Sequence, residues 1–109
     1  MTELRYRRLD IWWVDLEPKR PCVIVQADFV NLKSKTLIVA PLLPEHKDWP
    51  FAVSIIPSAQ NGLDKDRHIN LKQLRAVDTA RFSKKQGVLE KRYLRQVLMA
   101  LKTVFGIDS

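Results

Sequence analysis

The chain has 109 residues, 46% of them apolar, and its 19 Lys or Arg against 12 Asp or Glu give a formal charge of +7. That length and apolar content suit one compact unit, 1–109, able to bury a core without disulfide or metal staples. No apolar run approaches the ~20 residues of a spanning helix, residues 1–9 lack the apolar core of an export signal, and a lone Cys22 excludes a disulfide framework or a cysteine-rich zinc site within the chain. The expectation is a cytoplasmic protein with no membrane partner.

The charge is unevenly placed: residues 61–95 hold ten Lys or Arg and four Asp or Glu, which accounts for +6 of the +7. A basic surface of that kind suits a polyanion such as nucleic acid, or else a solvated face that keeps the protein dispersed.

In chain order, DIWWVDL alternates and is rich in β-formers, which predicts a strand with Trp12 and Val14 on one face and Ile11 and Trp13 on the other. Residues 17–21, EPKRP, break it. PCVIVQADF is a continuous apolar run of strand length, the pattern of a central strand covered on both faces, and Cys22 within it reads as a small buried hydrophobe. After a polar turn at 31–35, TLIVAPLL predicts a third strand ended by Pro41 and Pro44, because proline cannot donate to the ladder. Short connections make these three an antiparallel meander. PEHKDWP reads as a surface loop, FAVSII as a fourth strand stopped by Pro57, and NGLDKD as a turn; RHINL and LRAVD add two short strands around Lys72 and Gln73. Leu94, Val97, Leu98, Leu101, Val104 and Phe105 then recur at three- and four-residue steps, predicting an amphipathic helix over 90–105 capped by Gly106. The expected architecture is mainly β with α: a small, strongly curved antiparallel sheet of about six strands, an open barrel, closed by a C-terminal helix.

Strong catalytic signatures are absent: there is no glycine-rich phosphate loop, GxSxG, HExxH or Cys/His cluster. His46 and His68 stand alone, and Asp64 and Asp66 lack the oxygen count that Ca²⁺ requires. No metal and no cofactor are expected. What remains is a cation at a strand end. Arg20 precedes Pro21, whose ring restricts the residue before it, and a guanidinium so placed can grip phosphate in fork geometry; the plainer alternative is an exposed loop arginine.

The motifs DIWWVDLEP, RPCVIVQADFVN, SKTLIVAPL, NGLDKD and QLRAVDTARFSKKQGVL, followed by the amphipathic helix, resemble the MazF/PemK toxins in that order and over almost the whole chain. The resemblance implies a CcdB/MazF-type, SH3-like barrel that works as a homodimer. It also implies metal-independent cutting of single-stranded RNA and neutralisation by a cognate antitoxin whose tail occupies the RNA groove. The family's catalytic arginine falls on Arg20. Its threonine, by ungapped continuation, falls on Leu43, which has no hydroxyl, and the loop before the RP motif is shorter than is usual in the family. Gln73 and Arg75 match the groove-lining strand, while Arg81, Lys84 and Lys85 form a basic rim. One alternative is a CcdB-like poison of DNA gyrase, since Phe105, Gly106 and Ile107 resemble the aromatic-Gly-Ile end with which CcdB grips gyrase. Another is an inactive homologue that only binds RNA or antitoxin.

Overall fold

A computed structural model describes residues 4–107. Seven antiparallel strands form the sheet: β1 (Asp10–Asp15), β2 (Lys19–Ile24), β3 (Thr36–Pro44), β4 (Ala52–Ile55), β5 (Arg67–Asn70), β6 (Arg75–Asp78) and β7 (Phe82–Val88). The order is β4-β5-β3-β2-β1-β7, with β6 also paired to β3. β3 is the pivot. One edge pairs with β2 through Val39 to Pro41; the other pairs with β6 through Thr36 to Val39 and then with β5 through Leu42 to Pro44. Two partners in succession on one edge curve the sheet strongly, and the β1-β2-β3 meander is present as expected.

Because the sheet curls, each face of its central strands meets a separate core. Ile11, Val23, Ala40, Leu42, Val53, Ile69 and the helix residues Val97 and Ala100 form the larger cluster. Trp12, Val14, Cys22, Ile24, Leu37, Val39 and Val77 form the smaller one, on the other face. Alternation along β2 divides Val23 from Cys22 and Ile24, all three fully buried, so its uninterrupted apolar run is that of a strand covered on both faces. Of the two adjacent tryptophans, Trp12 is the buried one, meeting Tyr6 and Phe82 at ring separations of 5.0 and 6.0 Å.

Three elements differ from the sequence expectation. β7 is a seventh strand that the polar FSKKQGV does not announce. It is an edge strand paired only with β1; Phe82 at its start packs on the smaller core, and specific polar contacts hold the rest: Trp13 Nε1 donates to Gln86 Oε1 at 2.7 Å, and Ser83 Oγ donates to the Trp13 carbonyl at 3.2 Å. Gly87 passes so close to residues 60 and 61 that a Cβ there would lie 2.5 Å from both carbonyl oxygens. A short helix α1 (Asp28–Asn31) interrupts the stretch after β2. The C-terminal helix α2 spans Leu94–Phe105, with a 3-10 turn at Lys91–Tyr93, rather than running from 90. Glu90 is extended and its carboxylate accepts from Asn61 Nδ2 at 3.1 Å, which keeps it out of the helix. Gly106, at φ 66°, ends α2 as expected, and the Ile107 N–H reaches back to the Lys102 carbonyl at 2.9 Å.

Candidate functional site

Side chains two apart on a strand share a face, and four rows of the smaller core run toward one end of the sheet. They are Trp12 and Val14 continuing to Leu16, Ile24 and Cys22 continuing to Arg20, Leu37 and Val39 continuing to Pro41, and Val77 continuing to Arg75. The last residue of each row lines an open cavity of about 460 Å³. Glu17 and Pro18, from the turn between β1 and β2, and Gln73 and Leu74, from the 3-10 turn at Leu71–Gln73 and its exit, complete the wall. A buried apolar core thus opens into a cavity bearing two guanidiniums, one amide and one carboxylate.

Register explains why the cavity is there. The β2–β3 ladder stops at the Cys22↔Pro41 pair, while β1–β2 pairing continues through Val14↔Arg20 to Asp15↔Lys19. Had the β2–β3 ladder gone on, Arg20 would face Leu43; instead β3 turns to β5, where Leu43 pairs with His68. Pro21 sits at this fork, where its missing N–H costs no rung to β3. Arg20 is held half-buried on the freed segment, and Arg75 stands exposed across from it at the start of β6. Neither guanidinium takes part in an ion pair among the described residues.

Cys22 lies beneath both. Burial pushes its thiol from the ordinary 9.0 up to about 12, against the opposing pull of the Arg75 and Arg20 charges. It remains a neutral thiol, and the cations above it are available to an anion in the cavity. Two guanidiniums separated across a cleft, with fork geometry and fixed charge, suit a phosphodiester.

The structure therefore brings Arg20, Gln73 and Arg75 together; Gln73 lies on a 3-10 turn between β5 and β6, where the sequence pattern left it, and not on the groove-lining strand that the resemblance implied. Arg81, Lys84 and Lys85 do not line the cavity. Arg81 Nη1 donates to the Asp15 carbonyl at 3.2 Å, just outside it, and Lys85 Nζ sits 3.5 Å from the buried carboxylate of Asp10. Lys84 is exposed on β7. Phe105, Gly106 and Ile107 are elsewhere again; Gly106 and Ile107 border a larger, mainly aliphatic groove of about 770 Å³ beside α2. That groove carries Arg95, Lys102 and Thr103, all from the one helix, whereas the smaller cavity gathers two guanidiniums, an amide and a carboxylate from separate elements and is the better chemical site. Sequence reasoning missed Glu17, and its position directly before Pro18 and three residues before Arg20 was the only signal available. Among the described residues no three His, Cys, Asp or Glu cluster as metal ligands, and no helix is long and apolar enough to cross a membrane.

The chain is 31% identical to the endoribonuclease MazF of Staphylococcus saprophyticus, over 94% of this chain and 93% of that protein. A mycobacterial endoribonuclease solved in complex with its cognate antitoxin superimposes with a TM-score of 0.84 at 15% identity, covering 95% of this chain and 98% of the other. The Mycobacterium tuberculosis toxin MazF-mt6 does so with a TM-score of 0.83 at 19% identity, covering 92% and 99%. At those identities the solved structures establish the fold alone. Residues 7–105 match the family described as PemK-like, MazF-like toxin of type II toxin–antitoxin system, and this chain belongs to that family.

Proposed function

We propose that this toxin is a metal-independent endoribonuclease acting on single-stranded RNA in the cytoplasm, as a homodimer restrained by a cognate antitoxin. The observation that carries the reading is the meeting of Arg20, Arg75 and Gln73, from separate elements, around one cavity that also holds Glu17. In the reaction the ribose 2′-oxygen attacks the adjacent phosphorus and the bond to the 5′-oxygen breaks. A 2′,3′-cyclic phosphate and a 5′-hydroxyl end result. Glu17 takes the 2′-hydroxyl proton, the departing 5′-oxygen gains one from water, and Arg20 and Arg75 stabilise charge developing on the phosphoryl oxygens. Arginine stays protonated throughout, so its role is electrostatic. Gln73 offers both an acceptor and a donor to a base edge. Leu43 supplies no hydroxyl where the family has threonine, which makes the enzyme slow. The gyrase-poison alternative has only the exposed Phe105 and Ile107 in its support and is not favoured. Purified protein incubated with total RNA in EDTA, with the new ends mapped, tests the reading: cyclic-phosphate ends at recurrent sites are expected, and intact RNA would overturn it.

A further inference from the structure

Beyond the cavity lies an aromatic cluster that the reaction does not use. Trp49, in the loop after β3, is 43% exposed. Its ring stacks on Phe51 at 5.2 Å and 27°, and meets the buried His68 edge-on at 5.7 Å and 86°. His68 is itself fixed, since its Nδ1 lies 3.1 Å from the Glu45 carbonyl oxygen, and the Trp49 carbonyl accepts from the Ala52 N–H at 3.0 Å. An exposed indole held this firmly has already lost the rotamer freedom that binding would otherwise remove.

Two cations accompany it. Lys47 Nζ lies 5.3 Å from the centre of the Trp49 ring, tethered by Glu45 at 3.2 Å, and Lys72 Nζ lies 5.4 Å from that of Phe51. The cluster is continuous with the cavity. Leu71 N–H bonds the Phe51 carbonyl at 3.0 Å, so the turn carrying Lys72 and then the cavity residue Gln73 runs directly beside Phe51. On the other side, His68 is the register partner of Leu43, two residues past the cavity residue Pro41. Rigid aromatic surface with a lysine over each ring, next to a cationic cleft with room for a phosphodiester, is a combination that holds single strands: the flexible ammoniums swing to the backbone while a base takes their place on the ring.

We propose that Trp49, flanked by Lys47 and Lys72, is a stacking platform for a nucleobase of the RNA strand whose phosphate occupies the Arg20–Gln73–Arg75 cavity. The proposal rests on the RNA-cleaving reading above and adds a second subsite to it. The platform reads a π-face rather than a hydrogen-bond edge, so it favours purines for their larger rings without demanding one base.

Two fluorescent probes that cannot be cut separate this subsite from the cavity: 2′-O-methyl oligoadenylate, and an abasic chain of the same number of phosphates. Trp49→Ala is expected to weaken oligoadenylate binding by about tenfold and leave abasic binding unchanged, while Trp49→Phe keeps most of the affinity. Trp49→Leu, which keeps apolar bulk closer to the native than alanine does but has no π-face, should behave as the alanine variant does, which guards against a folding defect in the latter. Arg75→Ala should weaken both probes. Unchanged oligoadenylate binding by Trp49→Ala and Trp49→Leu, alongside weakened binding by Arg75→Ala, would overturn the platform and leave the RNA reading standing; so would an equal loss on both probes. A loss confined to antitoxin binding would make the cluster a protein contact instead. Wild-type protein that binds neither probe would overturn both readings.

Discussion

Two regions of the molecule carry clustered positive charge, and they differ in what lies under it. At the cavity, Arg20 and Arg75 end strand rows whose earlier members, Cys22, Ile24 and Val77, are sealed in the smaller core. Their positions are inherited from packing and their charges are not consumed by ion pairs among the described residues. On β7, Lys85 answers a buried carboxylate, Arg81 holds a backbone carbonyl, and Lys84 projects from an edge strand. Lysines on such an edge also discourage pairing with another sheet. The difference teaches that a count of basic residues along the chain locates polyanion affinity only loosely. A site arises where fixed elements deliver uncommitted charge to one place.

The comparison is most exposed to mutation at Arg20. Arg20→Ala should lower RNA cleavage by about 10²-fold or more, the usual cost of removing a preorganised donor to a developing oxyanion, whereas Lys84→Ala should change the single-turnover rate by less than about twofold if it only adds diffuse charge. Equal losses would erase the distinction. Next in size, Leu43→Thr should raise the rate about tenfold, or ~1.4 kcal/mol in barrier, because position 43 continues the Leu37–Val39–Pro41 row one step past the fork. A threonine variant no faster than wild type would mean that β3, in turning to β5, carries position 43 out of reach.

A smaller effect separates the regions by stability instead of rate. Lys85→Ala strands the Asp10 carboxylate, which is 2% exposed, with the Arg7 N–H as its remaining partner at 2.9 Å, and should cost about 1–2 kcal/mol in urea unfolding, a discounted value because the lysine itself is largely solvated. Arg75→Ala should leave the urea midpoint near wild type while reducing the slope of log affinity against log salt by about 0.7, one phosphate contact on a single strand. Reversal of those two results would place the phosphate contact on β7. The gentlest test is alkaline. Cys22 titrates at about 12 in the fold against 9.0 ordinarily, so the folded state holds its proton longer; the stability this confers is complete below pH 9.0 and should fall progressively from there toward about pH 12. Replacing Cys22 with Ala should remove that component of the alkaline decline.

Much of this was legible from periodicity. The alternation in DIWWVDL, the unbroken run in PCVIVQADF and the helical spacing after Leu94 each report a face that must be buried, and burial is what the sequence pattern encodes. β7 was not legible, because beyond Phe82 it is an edge strand held by Gln86, Ser83 and Gly87 against specific partners and shows no apolar alternation. The helical spacing begins at Leu94, where α2 does start; the extension back to 90 failed because the constraint that keeps Glu90 extended comes from Asn61, 29 residues earlier. In the site, Arg20, Gln73 and Arg75 were identified through resemblance, and their row positions supply the physical reason. Glu17 escaped because a carboxylate in a proline-bounded turn has no pattern of its own. Arg81, Lys84 and Lys85 were grouped with the others by charge, and only the fold, which leaves all three out of the cavity wall, separates them.

The central claim, that RNA engages the cavity rather than the β7 edge, is tested most directly by the arginine side-chain resonances. In ¹⁵N-labelled protein titrated with 2′-O-methyl oligoadenylate, the Nε–H signals of Arg20 and Arg75 should shift together and saturate together, while that of Arg81 stays near its free position. A titration in which Arg81 shifts and Arg20 and Arg75 do not would contradict the account.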